Sequence, residues 1–197
     1  MTAAMNELNS EQTLPPTRAT RFNRVNELYA EMPEIDKFID HQPEADDGYR
    51  SFLERLRASQ TPEEAVTFAA FALQSKAGVQ WALDCVLGLS PELPPEDTRL
   101  VNLISEWIDD GSDKNRWKTL EVALFAPRRS AAVYLGLAVG WSGGPLAPND
   151  LVTVPTWRAP RALSSAVMRA IGQVRTEKRA ESLDFVLDRA AGLFRLS

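Results

Sequence analysis

Gly140 to Pro148 spell GWSGGPLAP, and two different folds claim these letters. The first five satisfy Gly-x-Ser-x-Gly, the nucleophile elbow of α/β hydrolases, where the serine sits on a sharp turn between a strand and a helix. The same letters also suit the end of a helix followed by a tight excursion. Glycine supplies positive φ at a helix C-cap, and prolines remove backbone donors that would otherwise need partners. The surroundings choose between these readings. The segment from Ser130 to Trp141 is Ala-rich, apolar and helical in character, and Pro145 follows Ser142 closely. The elbow needs a later histidine, but the single histidine is His41, about a hundred residues upstream, and Lys178 is the only lysine after Ser142. A structural turn closing a helix is therefore expected, with a serine hydrolase using Ser142 as the enzyme alternative.

Outward from this turn, apolar positions recur with helical spacing. Phe22, Val25, Leu28, Tyr29 and Met32 form one stripe, and Ile35, Phe38 and Ile39 a short second one after Pro33. Tyr49, Phe52, Leu53 and Leu56 form a third. In TPEEAVTFAAFAL, Thr61 is expected to cap, Pro62 to take the first helical position and Glu64 to close a capping box. Ser75 reads as the cap of the next helix. There Val79, Ala82, Leu83, Val86 and Leu87 share a face, beside a second face of Trp81, Cys85 and Leu89. Leu100, Leu103, Ile104, Trp107 and Ile108 mark a helix stopped by Asp-Asp-Gly. Trp117, Leu120, Leu124 and Phe125 mark another, ended by Pro127. Leu163, Val167, Ala170, Ile171 and Val174, then Leu183, Val186, Leu187, Ala190 and Phe194, give the last two. LVTVP is the only strand candidate, and no repeat period is visible. The expectation is an all-α fold, an irregular array of about eight or nine helices with a Gly/Pro-rich loop. Residues 1–20, polar and carrying Pro15 and Pro16, read as a flexible tail, and 21–197 as a single helical domain.

Several function classes lose support on composition and spacing. The longest apolar run, Ala131 to Trp141, is far short of the ~20 residues a membrane-spanning helix needs. The N-terminus lacks a basic start followed by an apolar segment, which predicts no signal peptide. Together with the lone Cys85, that points to a reducing, cytoplasmic setting. His41 has no set of Cys or His ligands around it, so no metal site is expected. No Gly-rich loop ends in Lys-Ser/Thr, so no phosphate-binding loop or cofactor is expected either. Arg158, Arg161, Arg169, Arg175, Lys178 and Arg179 form a basic stretch. Only Trp157 interleaves an aromatic there, and the pI of about 5.1 opposes nucleic-acid binding. Charge is uneven along the chain: residues 1–126 carry 12 Lys+Arg and 22 Asp+Glu, and residues 127–197 carry 10 and 5. Such a dipole orients a partner or a second copy of the chain.

Three stretches, FAAFALQSKAGVQWALDCV, LFAPRRSAAVYLGLAVGWSGGPLAPNDLVTVP and RALSSAVMRAIGQV, resemble an uncharacterised bacterial all-helical family often encoded near type VI secretion genes. The resemblance spans roughly Glu64 to Val174. Trp141, Ser142, Gly143, Gly144, Leu146, Ala147, Pro148, Val154 and Pro155 match its Trp-Ser-Gly-Gly, Leu-Ala-Pro and Val-Pro elements. The chain departs from it at QSKAGVQW, which has only Trp81 where the family pairs tryptophans. The first sixty residues show no match. The resemblance implies a non-enzymatic accessory, an adaptor or chaperone acting on a secretion effector or spike component. The candidate contact residues are Trp141, Ser142, Gly143, Gly144, Pro145, Leu146, Pro148 and Trp157, an aromatic and proline platform of the kind partners anchor on. An immunity protein that neutralises a toxin is the alternative binder, and a homo-oligomer remains open.

Overall fold

In the computed structural model, residues 19–194 are described except Pro91 and Pro148. Their order is α1 (Val25–Glu31), a 3-10 turn (Pro33–Lys37), α2 (Tyr49–Arg57), α3 (Glu64–Ala72), α4 (Ser75–Leu89), α5 (Pro95–Asp110), α6 (Asp113–Leu124), α7 (Ala131–Gly140), α8 (Arg158–Gln173), a second 3-10 turn (Thr176–Lys178) and α9 (Arg179–Phe194). The fold is all-α, as the helical spacing predicts. Among the described residues the only extended pairings are isolated bridges, Thr20 with Leu73 and Pro145 with Thr153.

Two helices are apolar nearly all round and sit at the centre. Ala65 to Ala72 of α3 are all buried, and so is α7 apart from Tyr134. A helix with no polar face must be surrounded. Accordingly, α7 packs against α4, α5, α6 and α8, while α3 packs against α1, α2, α8 and α9. Helices α4 and α8 touch both groups and make one core of them. Around α3 the filling is aromatic: Phe52 meets Phe68 edge-on with centroids 4.8 Å apart, and Tyr49 and Phe194 close over them. Each buried Phe or Leu contributes roughly 1.5–3 kcal/mol by leaving water. Polar ties cross the same interfaces. Thr67 Oγ1 lies 2.9 Å from Ser164 Oγ, and Trp81 Nε1 donates to the Val186 carbonyl at 3.3 Å. Arg57 donates to Asp184 and Asp188, fastening α2 to α9. Cys85 is fully buried, and burial pushes its thiol up to about 12.

Several expected details differ. The sequence puts Ala19 and Thr20 in the tail, but both are buried against the α3–α4 junction; residues 1–18 lie outside the described residues. Thr61 and Glu64 do not form a capping box. α3 starts at Glu64, and the Glu64 carboxylate accepts from the Thr61 hydroxyl at 2.8 Å and pairs with His41 Nδ1 at 2.8 Å. Gln74, not Ser75, is the N-cap of α4, because the Ser75 hydroxyl is used elsewhere. Leu87 is exposed at the rim of α4. α7 is capped by Ser130, which accepts from the Val133 N–H at 3.2 Å. The largest departure is α6. Its buried face is Arg116, Thr119, Leu120 and Ala123, so Leu124 and Phe125 point to solvent, 47% and 82% exposed.

The His41–Glu64 contact carries a pH prediction. Burial works against ionisation of Glu64, but the hydrogen bonds from His41 and Thr61 outweigh it and hold the carboxyl below its ordinary value of 4.5. A folded-state value below the unfolded one gives stability that is complete above the unfolded value and is lost as pH falls through the folded one. Glu64→Gln is therefore less stable than the parent chain at pH 7. The gap between them closes as pH drops below about 4.5, as urea midpoints measured from pH 7 to pH 3 would read. A gap independent of pH would show that the Glu64 charge has no part in it.

Candidate functional site

The Gly/Pro-rich loop is built on the end of α7. Trp141 is the C-cap, with its N–H on the Leu137 carbonyl at 2.9 Å. The expected glycine C-cap is absent, since Gly140 is still helical. Gly140 serves close packing: a Cβ there would lie 2.5 Å from Leu120 Cβ. Positive φ comes later, at Gly144 with φ 65°.

Ser142 has no elbow geometry. It follows helix α7, its hydroxyl donates to the Val139 carbonyl at 2.8 Å, and its own carbonyl accepts from the Ser75 hydroxyl at 3.2 Å. It therefore ties α7 to the start of α4. His41, the partner a hydrolase would require, pairs with Glu64.

What holds the loop shut is a residue the sequence did not single out. Arg116 is buried in α6. Its Nη1 donates to the Gly140 carbonyl at 2.8 Å, its Nη2 to the Pro145 carbonyl at 2.7 Å and its Nε to Asp113 at 2.9 Å. Trp117 Nε1 donates to the same Pro145 carbonyl at 3.1 Å. The planar fork of arginine suits this bridging of two carbonyls. Beyond the clamp, the Val154 N–H reaches the Gly144 carbonyl at 3.5 Å, and Asn149 takes φ 67°, which asparagine tolerates.

The proposed platform is only partly available. Trp141, Leu146 and Trp157 are half-buried and packed against the core, while Gly143 and Gly144 are exposed; Ser142 and Pro145 are half-buried. Pro148 lies outside the described residues. The Arg158 guanidinium sits 5.9 Å from the Trp141 ring centre and 6.0 Å from that of Trp157, so these aromatics bind α8 to the loop. The residues the loop turns outward are Leu151 and Val152, 96% and 68% exposed.

A larger opening lies on the other side of α6. A groove of about 1040 Å³ runs between the α4–α5 link, the end of α6 and the start of α7, with Phe125 in its wall. Leu100, Val122 and Ala132 give it an apolar lining. Its lining mixes the carboxylates of Glu92, Glu96 and Glu121 with the cations of Arg99, Lys118, Arg128, Arg129 and Arg169. Among the described residues Arg128 and Arg169 make no ion pair. Asp97, buried in this wall, accepts from the Ser130 hydroxyl at 2.7 Å and so joins α5 to the cap of α7. Sequence spacing missed the groove because it assigned Phe125 to the core. The signal was present in Arg116, Thr119, Leu120 and Ala123, which share i, i+3, i+4, i+7 spacing.

The described residues hold no group of three or more His, Cys, Asp or Glu placed to bind a metal, and no helix long and apolar enough to cross a membrane. The fold and its clamped loop define an all-α helical-array domain with two candidate contact surfaces, the loop tip and the groove beside Phe125. Residues 52–194 match the family of unknown function DUF6931, and the chain belongs to that family. The matched span contains the loop, Arg116 and Phe125. No curated protein and no solved structure matches the chain.

Proposed function

We propose that this chain is a protein-binding accessory without catalytic activity of its own, and that its partner seats in the groove beside Phe125. The observation that carries the reading is Phe125 itself, 82% exposed at the mouth of a large groove. A phenylalanine left in water forgoes roughly 1.5–3 kcal/mol of burial, and apolar side chains so presented mark contact sites when they border a concave, partly apolar surface. Arg128 and Arg169 in the lining make no ion pair among the described residues, which suits a partner segment whose apolar side chain is flanked by carboxylates. In its most specific form the partner is an effector or spike component of type VI secretion, and the chain acts as adaptor or chaperone. That form is supported only by the resemblance of the three stretches between Glu64 and Val174.

The test compares the tagged parent chain with Phe125→Asp as bait in native lysate, read by mass spectrometry. Phe125→Asp is expected to fold with an unchanged melting temperature and to lose its partner at least tenfold. Recovery of a secretion spike or effector by the parent chain only supports the full reading. A partner retained equally by both baits removes the groove as the docking site, and recovery of neither spike nor effector removes the secretion role.

A further inference from the structure

The carboxylates that line the groove are not alike. Glu92, Glu96 and Glu121 are exposed, whereas Asp97 is 7% exposed. Its place in α5 explains why it is not spent on its own helix. Pro94 is the N-cap, Pro95 and Glu96 follow, and Asp97 stands at the third helical position. An acidic side chain there can reach back to the N-cap N–H. Proline has none.

Asp97 is used across the groove wall instead. Its Oδ1 accepts from the Ser130 hydroxyl at 2.7 Å, and that hydroxyl is itself fixed by accepting from the Val133 N–H. The carboxylate is thus held in place between α5 and the start of α7. Among the described residues Oδ2 accepts no hydrogen bond, and it is not sealed from the surface. None of the cations in the lining forms an ion pair with it. Lys118 pairs with Glu106, Arg129 donates to the Ala123 carbonyl, and Arg99, Arg128 and Arg169 pair with no carboxylate. A carboxylate largely withdrawn from water without a counter-charge is costly. The wall beside it is apolar, with Leu100 three residues along α5 and Ala132 two residues beyond Ser130.

We propose that the partner inserts a lysine side chain here, its ammonium donating to Asp97 Oδ2 and its methylene stem lying along Leu100 and Ala132. The proposal rests on the groove being the partner's seat. Two features select lysine. A neutral donor would leave the Asp97 charge uncompensated. Arginine gains most from a carboxylate with both oxygens free, and Ser130 already holds one of them; an ammonium is a point donor that needs one acceptor. Carboxylates flanking that lysine would meet Arg128 and Arg169.

The probe is n-butylammonium chloride, which carries the atoms of a lysine side chain. It is titrated into the full ¹⁵N-labelled chain at pH 7, with ionic strength held constant with sodium chloride. n-Butanol and n-propylguanidinium chloride, the neutral and arginine counterparts, are titrated alongside. Saturable shifts of the Asp97 and Ser130 amide resonances are expected with butylammonium, which should bind several-fold tighter than either counterpart. Asp97→Asn keeps the side chain's size and an oxygen for Ser130. It should weaken butylammonium roughly tenfold or more, the worth of a hydrogen bond to a charged group. No saturable shift with butylammonium, equal or tighter binding of either counterpart, or unchanged affinity in Asp97→Asn overturns the proposal. If Asp97→Asn does not fold, the ranking of the three probes on the parent chain decides. Asp97→Asn as a third bait in the lysate comparison separates this contact from the groove itself. A partner lost by Phe125→Asp but kept by Asp97→Asn leaves the groove as its seat and removes the lysine contact. A partner lost by both supports both, and one kept by both removes both.

Discussion

Arg116→Met lowers stability by about 3 kcal/mol, because a buried charged donor to two carbonyls is replaced by a side chain that donates to neither. The methionine keeps most of the apolar stem, so little packing is lost with the charge. The Gly140 carbonyl suffers most. It lies in the last turn of α7, where helix carbonyls have no partner further along the helix, and Arg116 supplies the partner at 2.8 Å. The Pro145 carbonyl keeps Trp117 Nε1. The ion pair with Asp113 adds little, since that carboxylate is well exposed. Arg116→Lys recovers less than half of the loss, because one ammonium cannot reproduce a fork that spans two carbonyls. Urea midpoints give the stability change, and amide exchange at Val154, whose N–H reaches Gly144, reports opening of the loop itself. A loss below about 0.5 kcal/mol, the range of ordinary surface substitutions, would show that the loop closes without the clamp.

The parts of this molecule that were legible in the sequence are those set by local periodicity. The stripes of α2, α5 and α9 predict buried faces that the structure reproduces nearly residue for residue, while α8 buries Leu163, Val167, Ala170 and Ile171 as expected together with Ala159, Pro160, Ala162, Ser164 and Ala166. The stop at Asp-Asp-Gly appears as Gly111 with φ 65°. Illegible were the places where a polar side chain serves a distant backbone. α6 offers two competing faces, and a hydrophobicity count selects the one with Trp117, Leu120, Leu124 and Phe125. The chain buries the other, because Arg116 must reach the carbonyls of Gly140 and Pro145 in a segment 24 and 29 residues away. The same cause undid the cap at Thr61. Glu64 carries the right letter in the right place, but its carboxylate is taken by His41, 23 residues upstream. The loop was readable as a turn, and its aromatic residues were readable as a cluster. Which of its residues face outward depends on the cation–π stacking of Arg158 and on the clamp, neither of which has a local signature. Hence Leu151 and Val152, rather than Trp141 and Trp157, form its exposed tip.

Gly140→Ala lowers stability by about 2–3 kcal/mol even though alanine is the better helix former. In a solvent-facing helix interior the substitution gains roughly 0.5–1 kcal/mol, because glycine loses more backbone freedom on folding. At Gly140 that gain is reversed by contact. The added Cβ would lie 2.5 Å from Leu120 Cβ and 2.7 Å from Leu120 Cγ, closer than carbon atoms tolerate. Leu120 Cβ is fixed to the α6 backbone, so rotation of the leucine cannot relieve the clash, and α7 must move away from α6. Overpacking of this kind costs about 1–3 kcal/mol and sometimes more. Here the shift also draws the Gly140 carbonyl off Arg116, coupling the two predictions: the cost of Arg116→Met should be smaller in the Gly140→Ala background than alone. Gly172→Ala is the internal control. It lies near the end of α8 with open space around its Cα, and it should stabilise by up to about 1 kcal/mol. In thermal melts Gly140→Ala should fall by roughly 4–12 °C while Gly172→Ala rises by a few degrees. A rise in both would show that helix propensity, not the α6–α7 contact, governs this end of α7. A fall in Gly140→Ala alone places the origin of the loop at the closest approach of two helices.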